Sequence, residues 1–422
     1  MQRILKRRRL LPAVDKHSPP GLLMKILVVC QHYWPEPFPL TGVCEELAKR
    51  GHTVDIVTDV PNYPMGYIYS DYRDGKNRKQ EHNGVQIFRT FTIGRRKNKL
   101  FRFLNYYSYA ISSTLFINGI KKEYDVVFAN QSSPVMMVNA ALHYARKHNK
   151  KCVLYCMDLW PASLAAGGIG EHSPIYRFFH SVSKKLYRRA DRILITSEMF
   201  RDYFKKEFAI PDEKIGYLPQ YADSAFDAVM PPKQETKTVD FLFAGNVGAA
   251  QSLNTVLDTA ALLQKEASLR WHIVGDGSEL ENLKTKAAQM RLDNVVFYGR
   301  KPLSEMPAYY AKADAMLVTL TGDRFIGMTL PAKVQSYMAA GKPMIASADG
   351  EIPNVIREAG CGFCAKAEDP QGLANAVRAF LACEDKQALG ARARAYYEAN
   401  FTCDKFMERL EMELSCQADT IN

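Results

Sequence analysis

MTLPAKVQSYMAAGKPMIA, at residues 328–346, is the stretch of this chain that indicates its fold most directly. Proline fits a first helical turn, glycine fits a left-handed helix cap, and a further proline cannot continue a helix. Pro331, Gly341 and Pro343 therefore predict a helix over about residues 330–340, and the apolar residues after it predict a buried strand. This succession of helix and buried strand is typical of α/β domains.

Lys333 lies in the first turn of that predicted helix. The first turn carries free backbone N–H groups and the positive end of the helix dipole, so the helix itself gains nothing from a lysine there. A lysine beside free amides is suited to an anionic ligand such as a diphosphate. The alternative is that the Lys333 side chain only extends into water.

Short apolar runs alternate with amphipathic stretches along the chain, which predicts parallel sheets covered by helices on both faces. The predicted strands are 26–30, 53–58, 86–91, 125–129, 151–157, 192–196 and 215–218, followed by 239–244, 269–274, 295–298, 315–319 and 343–347. This α/β pattern indicates two Rossmann-like, doubly wound domains that face a cleft.

A chain of 422 residues is too long for one ordinary core and fits two domains. We expect an N-terminal domain over residues 24–222, a linker at 223–238 and a C-terminal domain over 239–402. Residues 1–23 hold six basic side chains and one acidic one, and Met24 is typical of a natural start. We expect residues 1–23 to be a basic, non-structural extension, with a functional basic arm as the alternative.

The composition is that of a soluble globular protein, with 47% hydrophobic and 24% charged residues. No run approaches the roughly twenty apolar residues of a membrane-spanning helix. The nine cysteines are scattered and the C-x-x-C at 361–364 stands alone, which argues against a disulfide scaffold or a zinc site. The scattered cysteines lead us to expect a cytoplasmic protein. The net charge of +11 is concentrated in two patches without a recognition module, so we expect no binding to nucleic acid.

Two glycine-rich turns follow predicted strands of the second domain. Small residues at strand ends let backbone amides approach a pyrophosphate, which makes these positions candidate diphosphate contacts: Gly245, Asn246, Gly248, Gly275, Asp276 and Gly277. Tight strand-to-helix turns are the alternative explanation. Arg300, which follows another strand of this domain, is a candidate cation at the cleft.

Loops after the strands of the first domain carry candidate binding contacts, because such loops hold binding residues more often than core positions do. The candidates are Glu36, Asn62, Tyr63, Asp158 and Trp160. We expect Asp158 either to cap the following helix or to orient a hydroxyl group of the ligand. We expect His32 to be a loop histidine rather than a base.

A basic segment precedes a predicted helix that begins near Leu100 and carries apolar and aromatic side chains on one stripe. The segment contains Arg95, Arg96, Lys97 and Lys99. Basic residues beside such a face suit an anionic membrane surface. The alternative is a core-facing helix with a solvated basic end.

An ordered set of motifs from Met24 to about residue 400 resembles glycosyltransferase family 4. The motifs are PNYPMG at 61–66, DLWP at 158–161, FAGNVG at 243–248, GDG at 275–277 and the run at 331–343. Members of this family are retaining enzymes of GT-B fold. The last motif is more closely similar to the subgroup of N-acetylfucosaminyltransferases of capsule and O-antigen synthesis.

The resemblance implies that the C-terminal domain binds a UDP-sugar donor and that the N-terminal domain binds an undecaprenyl-linked saccharide acceptor. It implies transfer of an N-acetylated deoxyhexosamine during surface polysaccharide assembly, by an enzyme attached peripherally to the inner membrane surface. It further implies that a last helix, about 403–416, crosses back to complete the N-terminal domain.

Four positions depart from the family pattern. Glutamates that contact the donor sugar and the ribose in the family are Met328 and Ser336 here, and neither side chain offers a carboxylate. The arginine and lysine of the glycine-rich loop are replaced by Asn246 and Gln251. Sugar and ribose contacts then fall to the backbone, to the Ser336 hydroxyl or to other residues.

Lys333, Arg300 and Asp158 remain as the catalytic candidates. In the mechanism that the resemblance implies, the leaving phosphate helps to deprotonate the incoming hydroxyl, and cations and amides stabilise the departing diphosphate. The chain has no Asp-x-Asp motif, and we expect no required metal or other cofactor. The alternatives are a UDP-sugar epimerase of GT-B fold and a non-catalytic partner subunit of a glycosyltransferase assembly.

Overall fold

The computed structural model describes residues 23–418, apart from 97, 167, 227–236 and 267. The expected basic extension, most of the expected linker and Lys97 therefore lie outside the described residues, apart from Leu23 at the end of the extension. Within the described part, two sheets each pack between helices.

The first sheet contains eight strands, which are parallel except for one edge strand. They are β1 (Lys25–Val29), β2 (Thr53–Asp59), β3 (Lys79–His82), β4 (Val85–Thr90), β5 (Val126–Gln131), β6 (Lys151–Cys156), β7 (Arg192–Ile195) and β8 (Ile215–Tyr217). Their order is β3-β4-β2-β1-β5-β6-β7-β8, and β3 runs antiparallel to β4. The central strands β1, β2 and β5 are buried almost throughout, as parallel strands covered on both faces require.

The second sheet contains six parallel strands. They are β9 (Val239–Ala244), β10 (Leu269–Val274), β11 (Val295–Gly299), β12 (Ala315–Thr319), β13 (Met344–Ser347) and β14 (Gly362–Ala365). Their order is β11-β10-β9-β12-β13-β14, so the winding reverses between β9 and β12. Ligands of open α/β sheets bind in the crevice at the carboxyl ends of such a strand pair.

Helices cover both faces of each sheet. In the first half they are α1 (Leu40–Lys49), α2 (Lys99–Asn118), α3 (Asn139–Lys147), α4 (Ala162–Ala166), α5 (Pro174–Arg189) and α6 (Met199–Phe208). In the second half they are α7 (Asn254–Leu262), α8 (Leu280–Gln289), α9 (Met306–Lys312), α10 (Arg324–Gly327), α11 (Ala332–Ala339), α12 (Glu351–Ala359), α13 (Pro370–Ala382), α14 (Lys386–Asn400) and α15 (Cys403–Ala418).

The last helix, α15, lies against the first domain. Its residues Phe406, Met407 and Leu410 are buried in the same apolar cluster as β1. Arg192, at the start of β7, donates from Nε to Glu413 Oε2 at 2.6 Å. The chain therefore passes between the two domains twice.

The domains also touch beside the cleft. Phe325 of α10 is buried in the core of the first domain. The Ser197 hydroxyl of the first domain donates to the backbone oxygen of Met328, and Arg324 Nη2 lies 3.2 Å from Glu171 Oε2. These contacts position the loop that precedes α11.

The fold class predicted from the sequence is confirmed, and each predicted strand is present with ends that differ by no more than two residues. The apolar pattern does not reveal two further strands. β3 reads KQEH because it is an exposed edge strand that has no buried face. β14 is short and only half-buried, and it contains Cys364 of the C-x-x-C sequence.

Candidate functional site

The donor-side glycines meet where β9 and β10 end. Gly245 follows β9 with a φ of 145°, and Gly275 follows β10 with a φ of 148°, a region that favours glycine. A Cβ on Gly275 would lie 1.8 Å from the carbonyl oxygen of Gly245, and a Cβ on Gly248 would lie 2.6 Å from Asn246 Nδ2. The two turns pack this closely because glycine occupies these positions.

The remainder of the second turn is also held against the first. The Val247 N–H donates to the carbonyl oxygen of Asp276 at 2.9 Å, and a Cβ on Gly277 would lie 2.3 Å from the carbonyl oxygen of Val247. Asp276 is exposed, and its Oδ1 accepts a hydrogen bond from the Gly277 N–H at 2.8 Å. Close packing of two turns thus accounts for the GDG sequence.

Helix α11 brings Lys333 to these turns. The helix begins at Ala332, directly after Pro331, and a Cβ on Gly245 would lie 3.0 Å from Lys333 Nζ. Lys333 Nζ also donates to Gln251 Oε1 at 2.5 Å and lies 3.9 Å from the centroid of the Phe243 ring. The amine therefore sits over the glycine turn, at the strand pair where the winding of the sheet reverses.

Burial lowers the pKa of Lys333 to about 7. Desolvation disfavours the charged form of an amine, and no carboxylate among the described residues forms an ion pair with it. A diphosphate at this point would supply the missing negative charge. The amine is thus suited to gain a proton when an anion binds.

Tyr337 fixes α11 to the end of β9, one turn after Lys333. Its hydroxyl donates to the carbonyl oxygen of Ala244 at 3.0 Å and accepts from the Ala244 N–H at 2.9 Å. The Tyr337 side chain is fully buried. This anchor holds Lys333 in register with the glycine turn.

The other donor-side candidates lie around this group. Ser336 Oγ donates to the carbonyl oxygen of Ala332 at 3.3 Å, within its own helix. Met328 packs against the core of the first domain. Asn246 and Arg300 are exposed, and Arg300 follows β11 at the outer edge of the sheet, two strands from β9.

Glu36, one of the predicted acceptor contacts, joins the loops that follow β1 and β2. Its Oε1 accepts the backbone N–H groups of Asn62 and Tyr63, both at 2.6 Å, and its Oε2 lies 2.9 Å from His32 Nδ1. Glu36, Asn62 and His32 are buried, whereas Tyr63 is partly exposed. Glu36 and Asn62 therefore shape the loops, and Tyr63 is the member of this group that a ligand can reach most readily.

His32, Glu36 and Asp59 also bring their ligand atoms within 4.8 Å of one another, close enough to hold a cation. Both oxygens of Glu36 already have hydrogen-bond partners in the protein. Burial and the neighbouring Glu36 raise the pKa of Asp59. The hydrogen bonds of Glu36 to the backbone of Asn62 and Tyr63 make this cluster a positioning element of the loops.

Asp158 and Trp160 follow β6 but differ in their surroundings. The Ser133 hydroxyl donates to Asp158 Oδ2, and burial raises the pKa of Asp158. This contact joins the loops after β5 and β6. Trp160 is buried, with its ring centroid 5.6 Å from that of Phe179, so it packs in the core of the first domain, and its role as an acceptor contact stays a prediction.

Two known families match the two domains. Residues 228–396 match the family described as Glycosyl transferases group 1, and residues 40–225 match Glycosyltransferase Family 4. The chain is a GT-B glycosyltransferase of family 4. The family indicated by the ordered motifs is thereby confirmed.

This glycosyltransferase is similar to proteins of several bacteria. It is 28% identical over 294 residues to WbjE from Pseudomonas aeruginosa, named as a glycosyltransferase, and the alignment covers 66% of this chain and 71% of WbjE. It is 25% identical over 389 residues to WcaI from Escherichia coli K12, whose name assigns it to colanic acid biosynthesis, with coverage of 85% and 92%. The solved structure of Anabaena HepE in complex with UDP matches with a TM-score of 0.68 and 16% identity, covering 93% of this chain and 100% of HepE.

The candidate site includes two side-chain roles that the sequence did not assign. Gln251 stands out in the sequence only as a departure from the family pattern, yet it is the hydrogen-bond partner of Lys333. Tyr337 belongs to the motif at 331–343, and its hydroxyl anchors the helix. The spacing of four residues between Lys333 and Tyr337, which places both on one helix face, was the available signal.

Proposed function

We propose that this chain is a retaining glycosyltransferase that moves an N-acetylated deoxyhexosamine from a UDP-sugar to an undecaprenyl-linked saccharide during surface polysaccharide assembly. The observation that carries the proposal is Lys333, a desolvated amine without a carboxylate partner among the described residues, placed over the glycine turn after β9. The UDP bound to HepE supports a uridine nucleotide, and the name of WcaI supports a polysaccharide product.

The proposed reaction breaks the bond between the anomeric carbon of the donor sugar and the diphosphate oxygen. A new bond forms on the same face of the sugar, to the acceptor hydroxyl oxygen. Negative charge grows on the diphosphate, beside the Lys333 amine and the N–H groups at the start of α11. The departing phosphate oxygen takes the hydroxyl proton, so the transfer requires neither a strong protein base nor a metal ion.

Calorimetric titration of the full-length protein with UDP, GDP and ADP tests the donor half of this proposal. We expect selective binding of UDP, followed by transfer from a UDP-sugar to a lipid-linked saccharide in a product assay. Binding of no nucleotide would contradict the proposal and favour a non-catalytic partner subunit. Conversion of UDP-sugar without an acceptor would favour the epimerase.

UDP binding should be accompanied by uptake of close to one proton at pH 8. With a pKa of about 7, Lys333 is mainly neutral at that pH, and a bound diphosphate would restore its charge. The phosphate groups themselves are already ionised at pH 8, since their second pKa is about 6. Affinity should therefore fall as the pH rises from 7 to 9. Calorimetry in buffers of different ionisation enthalpy measures the uptake, and Lys333→Met should abolish it; equal uptake by this variant would assign the proton elsewhere.

We also propose that the enzyme works peripherally at the cytoplasmic membrane surface, through the basic segment and α2. Arg95 lies 6.0 Å from the centroid of the Tyr63 ring and 5.7 Å from that of Tyr106, beside the acceptor loops. Leu100 and Phe103 of α2 are 60% and 49% exposed. Leaving aside the gaps in residues 23–418, no helix has the length and apolarity to span a bilayer.

Replacing Arg95, Arg96 and Lys97 together by serine should weaken binding to anionic vesicles about 100-fold, at about 1 kcal/mol for each basic residue near the surface. UDP affinity should stay unchanged, because Lys333 lies on the other domain. Vesicle sedimentation at low and high salt measures the change. Undiminished binding would support the core-facing explanation of α2.

A further inference from the structure

An open groove of about 480 Å³ lies on the first domain between α2 and α5. Pockets that bind small organic molecules enclose about 300 to 1,000 Å³, so the groove has room for a ligand. Its lining is mainly apolar, as at Ile111, Leu115 and Val182, and includes the two cations Lys185 and Arg189.

One face of α5 continues the groove as an apolar stripe that ends in cations. Ile175, Phe178, Val182, Lys185 and Arg189 succeed one another by three or four residues, so they lie on the same helix face. Ile175 is 55% exposed and Phe178 is 58% exposed. The stripe thus presents apolar side chains at one end and positive charge at the other.

A matching stripe on α2 forms the opposite side of the groove. Ile111 and Leu115 line the groove and are 58% and 67% exposed, and Leu100 and Phe103 extend the stripe towards the start of the helix. Monomeric proteins seldom leave contiguous apolar surface of this kind uncovered. A covering partner should be apolar where it meets both stripes.

The two cations at the groove indicate that the covering partner carries negative charge. No carboxylate among the described residues forms an ion pair with Lys185 or Arg189, and Arg189 Nη2 donates only to the backbone oxygen of Leu142, at 3.3 Å. Burial and the nearby Arg146 lower the pKa of Arg189, which marks a region of positive potential. A ligand that combines a hydrocarbon chain with an anionic head complements the groove in both respects.

We propose that the groove binds one hydrocarbon chain of an anionic phospholipid, with the lipid phosphate at Lys185 and Arg189, and that the α2–α5 face rests on the bilayer. This inference rests on the proposed function at the membrane surface and specifies the class of lipid that this surface binds. Arg189 ends α5 shortly before β7 begins, at the amino ends of the strands. The groove thus reaches away from the carboxyl-end crevice, which favours a bilayer lipid over the acceptor's own chain.

Calorimetric titration of the full chain with dihexanoylphosphatidylglycerol, below its micelle concentration, tests the groove without a bilayer. Lys185→Ser with Arg189→Ser should weaken binding about thirtyfold, since each basic residue contributes about a factor of five. Val182→Phe, which fills the groove from its rim, should weaken binding at least tenfold. The control pair Lys49→Ser with Lys76→Ser removes the same charge elsewhere on this domain and should leave binding unchanged.

Equal binding by the two double variants would overturn the assignment. A second result would also overturn the assignment: no binding of phosphatidylglycerol, together with binding of farnesyl phosphate that Val182→Phe prevents. The groove would then bind an isoprenoid acceptor. Thermal unfolding of each variant checks that the fold is kept. UDP affinity should be the same in all variants, so a failed donor site and a failed lipid site would be distinguished.

Discussion

Replacing Lys333 by alanine is expected to lower kcat for glycosyl transfer by about 10²- to 10³-fold, the usual cost of losing one preorganised donor to a developing negative charge. Lys333 Nζ lies over Gly245, and no carboxylate among the described residues forms an ion pair with it. A bound diphosphate would therefore become its main charged partner. Most of the loss should appear in kcat, since the charge on the diphosphate is greatest as it departs.

Lys284→Ala is a matched control, because Lys284 is an exposed lysine of the same domain that pairs with Glu281 at 2.7 Å. Rates from quenched reactions with saturating UDP-sugar should be unchanged in this control. Lys333→Ala should also unfold at no lower denaturant concentration than the unmodified protein, since it removes a desolvated amine. Unchanged turnover would exclude Lys333 from the reaction.

Gly275→Ala is expected to lower the free energy of unfolding by about 2 to 4 kcal/mol and to weaken UDP binding at least tenfold. The added Cβ would lie 1.8 Å from the carbonyl oxygen of Gly245, and the φ of 148° is itself unfavourable for alanine. The turn after β9 would have to move, and the surface facing Lys333 would move with it.

Urea unfolding and UDP calorimetry on the same preparations separate the two effects of this substitution. Gly170→Ala is the control, because a Cβ there meets no atom within 4 Å. It should change the free energy of unfolding by no more than about 0.5 kcal/mol. Undiminished UDP affinity in Gly275→Ala would show that the two turns do not form the nucleotide site.

The sequence predicts the fold well because a parallel strand covered on both faces is a run of apolar residues, as in KILVV of β1 and VDFLFA of β9. The residues that begin and end helices are also recognisable from local sequence. Gly341 has the left-handed conformation, with a φ of 63°, that its place after α11 predicts. The edge strand β3 is not predicted by the same pattern, because an exposed strand has no run of apolar residues.

The candidate site is less predictable because its contacts join residues distant in sequence. The bond between Lys333 and Gln251 spans 82 residues, and that between Tyr337 and Ala244 spans 93. Trp160 follows a strand as a binding residue would, but α5 covers it with Phe179. Whether a residue after a strand reaches the crevice depends on such packing, which local pattern does not contain.

The two passages of the chain between the domains have a mechanical consequence. Tyr221, just before the first passage, lies 5.0 Å from Phe406, just after the second, measured between ring centroids. Arg394, shortly before the second passage, also donates from Nη1 to the backbone oxygen of Phe226 at 3.3 Å, so the described residues that flank the two passages lie close together. Two chain connections that lie close together restrict the domains to rotation about one main axis. A single connection would allow rotation about several axes. Lys333 should therefore approach the loops after β1 and β2 along one path.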